Sequence, residues 1–71
     1  MTKLELVEWR VGLMTVSLIK AVSTYAGRSL SEAKADVERF LDGETIVLEF
    51  STEQQRETFR QLAQEYGAVV R

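Results

Sequence analysis

The 71 residues predict one α+β domain in which three helices cover one face of a three-stranded antiparallel sheet, in the order β-α-α-β-α-β. Three observations carry that prediction. Residues 44 to 50 alternate cleanly, with Ile46, Leu48 and Phe50 set against Thr45, Val47 and Glu49, as a half-buried strand requires. Two stretches on either side of residue 28 carry apolar residues at helical spacing. Between those stretches stand a glycine and a capping signature, so one helix ends where the next begins.

In chain order, residues 3 to 11 predict a strand whose alternation slips around Leu6 and Val7, which a bulge there would explain. Gly12 then punctuates the chain. From Leu13 to Ala26, at about 100° per residue, Met14, Leu18, Val22 and Tyr25 fall on one line flanked by Ala21 and Ala26, the expected core face of the first helix. Gly27 suits a helix C-terminus, and Ser29 with Glu32 three positions later forms a capping box, so the turn is tight. The second helix runs to Leu41 with Leu30, Ala33, Val37, Phe40 and Leu41 at core spacing, and Asp42-Gly43 stops it. After the strand at 44 to 50, Ser51 or Thr52 opens a third helix with Phe59, Leu62, Ala63 and Tyr66 as its apolar stripe. Gly67 ends it, and residues 68 to 71 close the sheet. Trp9 is expected on the core side; on the uncovered face it would, with Val47, support a homodimer.

Size and composition narrow the function. A chain this short buries only about 60% of the surface its unfolded form exposes, which leaves no room for a large enclosed active site. The sequence holds no Cys and no His, so it has neither a disulfide framework nor a zinc site, and the commonest general base and thiol nucleophile are missing. No phosphate-cradling glycine loop or calcium loop is present, and the carboxylate pairs Glu32/Asp36 and Glu53/Glu57 read as solvated helix-face charge. The expectation is no enzyme activity and no cofactor. A formal net charge of −2 with mixed signs argues against a nucleic-acid footprint. The apolar run from Val11 to Val22 is too short to span a bilayer and contains Lys20, so a soluble cytoplasmic protein with no membrane contact is expected.

The first helix carries more apolar residues than one buried stripe needs. The surplus, Val16 and Ile19, sits beside Lys20, a pattern that points to a partner-binding surface; the alternative is the edge of a wide core stripe and solvated lysines.

These residues carry a resemblance. The run Val16-x-x-Ile19-Lys20-Ala21-Val22, then Gly27, then Leu30-x-Glu32-Ala33-Lys34, with a glutamine-rich third helix and Tyr66-Gly67-Ala68-x-Val70, resembles the C-terminal domain of the bacterial ribosomal stalk protein over residues 4 to 71. The resemblance implies the same element order and a docking module that recruits translational GTPases or other ribosome-associated factors. The implied partner-binding residues are Val16, Ile19, Lys20, Leu30, Glu32 and Lys34. The chain departs from the family at Thr15 and Ser23, where basic residues are usual, and in its Gly27-Arg28-Ser29-Leu30 turn, where Arg28 would partly restore the lost charge. The family's N-terminal dimerisation helices and Ala/Gly-rich hinge have no counterpart, so the expectation is a stand-alone relative, with a fragment as the alternative. The Clp protease adaptor shares the element order, but its Asn-Asp-Asp signature and histidine pocket have no counterpart. An adaptor, or a phage or mobile-element inhibitor of a host factor, is the second reading.

Overall fold

A computed structural model describes residues 2–71. The elements are β1 (Thr2–Trp9), α1 (Thr15–Ala26), α2 (Leu30–Leu41), β2 (Ile46–Phe50), α3 (Glu53–Glu65) and β3 (Ala68–Val70), in the predicted order. The sheet runs β2-β1-β3 with both pairings antiparallel. β1 is therefore central, and β2 and β3 are both edges.

Burial follows the period of each element. Ile46, Leu48 and Phe50 of β2 are buried while Val47 and Glu49 are exposed, and Leu4 and Leu6 of β1 sit opposite Leu48 and Ile46 on the same face. The helices deliver Leu18, Ala21 and Val22, then Ala33, Val37 and Phe40, then Phe59 and Ala63 onto that face. Phe50 and Phe59 meet with ring centroids 5.3 Å apart at 43°, a tilted aromatic contact that adds about 0.5–1.5 kcal/mol beyond area burial.

The slip in the β1 pattern is a bulge. Against β3 the register passes from Leu6↔Val70 to Glu8↔Val69, two residues of β1 for one of β3, so the extra residue is Val7.

Four details differ from expectation. α1 begins at Thr15, because Met14 has ψ 82 and lies outside the helix. Extrapolating the helical angle back to Met14 therefore fails; it is 51% exposed, and Leu13 packs against the core in its place. β2 begins at Ile46, since the Glu44 N–H donates to the Arg39 carbonyl and belongs to the close of α2. Trp9 is 41% exposed: it lies at the end of β1 opposite Ala68, beyond the bulge. Leu30, the first residue of α2, is exposed rather than core.

Candidate functional site

The turn between α1 and α2 is held by local hydrogen bonds that set the two helices against each other. Gly27 ends α1 at φ 66, the left-handed region. The Ser29 Oγ accepts from the Glu32 N–H at 3.1 Å, and the Ser29 N–H donates to Glu32 Oε1 at 3.0 Å, which completes the capping box. The Ser23 hydroxyl donates to the Arg28 carbonyl at 2.8 Å, tying the last turn of α1 to the loop.

Under the turn lies an ion cluster that sequence reading missed. Asp36 is the buried charged residue among the described ones, and its carboxylate accepts from Arg28 Nε at 2.9 Å, Arg28 Nη2 at 3.2 Å and Arg39 Nη2 at 2.9 Å. Glu32 and Asp36 are not a solvated pair: one caps a helix and the other is buried under two arginines. The signal was available, because Asp36 falls beside Ala33, Val37 and Phe40 on the buried stripe, where an unpaired carboxylate is costly and an arginine is required. Arg28 serves this cluster rather than standing free. The hydrogen bond and charge of Asp36 hold its guanidinium even more firmly protonated than an ordinary arginine.

Val16 and Lys20 are one turn apart on the outer crest of α1, with Val16 66% exposed and Lys20 exposed. Lys20 borders a shallow groove of about 250 Å³ between α1 and α3, floored by Tyr25, Leu62 and Tyr66. Ile19 is half-buried and packs against the core, with the rest of its side chain exposed. On α2, Leu30 is 61% exposed and lies one turn before the exposed Lys34. Asp36 and Arg39 face the β2 edge; helical spacing sets Leu30 and Lys34 on the opposite flank, toward α1. Glu32 stands apart. It is about 160° around the helix from Lys34, and its carboxyl is held below the ordinary glutamate range by the Ser29 N–H, with the Ser29 hydroxyl and Arg28 adding to the effect. Neither Lys20 nor Lys34 joins a salt bridge among the described residues.

Exposed apolar residues continue past α1: Trp9, Val11 and Met14 lie in or beside the loop that leads into it. Among the described residues no cluster of potential metal ligands occurs, and no helix is long and apolar enough to cross a membrane. No protein-family model, curated protein or solved structure matches the chain.

Proposed function

We propose that this domain is a non-catalytic docking module whose contact surface is the outer side of the α1–α2 pair, on the pattern of the ribosomal stalk C-terminal domain that it resembles. The observation that carries the reading is the pairing of exposed apolar side chains, Val16 and Leu30, with lysines one helical turn away, Lys20 and Lys34, that have no acidic partner among the described residues. Two helices locked by a capping box and a buried ion cluster present that pattern rigidly, and rigidity limits the entropy lost on binding. Val16, Ile19 and Leu30 lose water against an apolar groove while Lys20 and Lys34 steer the encounter with acidic groups. Glu32 acts through the cap, as a positioning residue. A surface this small suits a weak, fast-exchanging complex in the cytoplasm.

The partner class implied by the resemblance is a translational GTPase. Ser23 and Thr15 in place of basic residues, with Arg28 engaged by Asp36, favour a second reading in which the scaffold serves an adaptor or inhibitor with a less acidic target. Calorimetric titration of a purified bacterial elongation factor separates them. The Val16→Ser, Lys20→Glu double variant should lose binding with a thermal midpoint close to the parent's, since exposed substitutions change stability by about 0.5 kcal/mol or less. Equal binding by parent and variant rejects the surface; absence of binding by the parent rejects the GTPase partner.

A further inference from the structure

We propose that the free edge of β2 takes up an extended acidic segment of another protein as a fourth strand, with the segment's carboxylates held by Arg28 and Arg39. This surface is separate from the α1–α2 crest.

The backbone directions follow from one pair of bonds. Glu5 and Arg71 exchange both main-chain hydrogen bonds, N–H to C=O at 3.0 Å and 2.8 Å, so the Glu5 peptide groups point to the β3 side. Residues of an antiparallel strand alternate sides; Leu4 and Leu6 therefore point to β2, where Leu48 and Ile46 lie opposite. Val47 and Glu49 in turn direct their N–H and C=O groups away from the sheet, at an edge no other strand covers. No proline or outward lysine blocks this strand, the usual guards of an exposed edge.

A groove of about 350 Å³ runs beside that edge, between Val47 and Glu49 on one wall and Gly27, Arg28 and Arg39 on the other. Its unpaired donors select the occupant. Asp36 accepts three N–H groups of the two guanidiniums and Glu32 offsets part of the Arg28 charge, but the side chains remain 40% and 52% exposed and keep further N–H groups without an acceptor among the described residues, Arg39 more than Arg28. Glu49 does not neutralise them, because its side chain lies on the outer face opposite Lys3. An added strand places alternate residues on the helix side, level with Leu48, where a carboxylate reaches the arginines. Its other residues meet Val47, which is 52% exposed and favours an apolar or β-branched neighbour. A second copy of β2 brings only Ile46, Leu48 and Phe50 to the helix side and offers the arginines no anion. The opposite edge, β3, is three residues long, and its groove carries the single arginine Arg10.

The test is an amide-resolved NMR titration with a heptapeptide alternating glutamate and valine, with glutamate at both ends. Controls are the lysine–valine counterpart and the glutamate peptide with alternate amides N-methylated. The expected result is shifts centred on the Val47 and Glu49 amides and the Arg28 and Arg39 Nε–H groups. Hydrogen exchange at Val47 and Glu49 should slow, and both control peptides should bind about tenfold or more weakly. Val47→Pro removes an outward N–H and should abolish binding, as should Arg39→Glu, which leaves the strand intact. The Val16→Ser, Lys20→Glu variant should bind the peptide like the parent, which separates this edge from the crest. Equal binding by the N-methylated peptide, shifts centred elsewhere, or no binding overturns the proposal. Protection of Val47 and Glu49 that rises with protein concentration alone also overturns it, in favour of self-association.

Discussion

Replacing Asp36 by alanine tests how much of the α1–α2 geometry rests on one buried carboxylate. The side chain is 5% exposed and accepts three charge-assisted hydrogen bonds, at 2.9, 3.2 and 2.9 Å. Removing one partner of a fully buried ion pair costs roughly 3–5 kcal/mol, whereas an exposed pair contributes about 0–1 kcal/mol. Here the acid is buried but the arginines are 40% and 52% exposed, so once released they regain water. Their half-exposure scales the loss to about 2 kcal/mol, between those limits. For a domain of this size each kcal/mol moves the midpoint by about 4–8 °C, so Asp36→Ala should lower Tm by roughly 8–16 °C. Thermal unfolding followed by far-ultraviolet circular dichroism reads this directly. Asp36→Asn, which keeps the shape and one acceptor, should fall between parent and alanine variant. A shift under about 3 °C for Asp36→Ala would show that the cluster is a surface ion pair without structural weight.

Other outcomes follow from the same local geometry. Glu32 has its folded pKa lowered chiefly by the Ser29 N–H, so its contribution is complete above the ordinary glutamate value and lost as pH falls through the lowered one; Glu57, lowered chiefly by its hydrogen bond from Arg56, behaves alike. Midpoints recorded from pH 7 down to pH 3 should therefore fall, and less steeply in Glu32→Gln, which keeps the cap without the titrating group. Ser29→Ala, which removes the N-cap acceptor, should cost about 1 kcal/mol in urea unfolding. Gly27→Ala meets no neighbour within 4 Å and suffers only the left-handed backbone penalty, about 1–2 kcal/mol. Gly67→Ala should be the worse of the two, because its Cβ would lie 3.3 Å from the Leu13 backbone at φ 104; equal midpoints would contradict that close approach.

What the sequence made legible was whatever repeats with a local period or sits in a local cap. The β2 alternation, the Ser29–Glu32 box and the stripe of α3 came out as expected, because each depends on neighbours within about one turn. Even the bulge showed, as a break in alternation at Leu6 and Val7. What stayed hidden depended on distant partners. Met14 leaves the helical line because its N–H donates to the Tyr66 carbonyl, 52 residues on, and that bond holds the chain outside the helix. Arg28 reads as a free positive charge until Asp36, eight residues later, folds beneath it. Ile19 is only partly buried against the core, a division that helical spacing alone does not apportion. The directions of the β2 edge groups follow from a Glu5–Arg71 pairing, which joins residues at opposite ends of the sequence.

The proposed docking surface is the outer side of α1 and α2. It is tested most directly by mapping, amide by amide, the NMR line broadening caused by substoichiometric addition of a purified translational elongation factor. Docking there should erase signal at Val16, Ile19, Lys20, Leu30 and Lys34 and leave the outer sheet residues Lys3, Val47 and Glu49 unchanged. Broadening confined to the sheet face would contradict it, and broadening at no residue would reject the elongation factor as the partner.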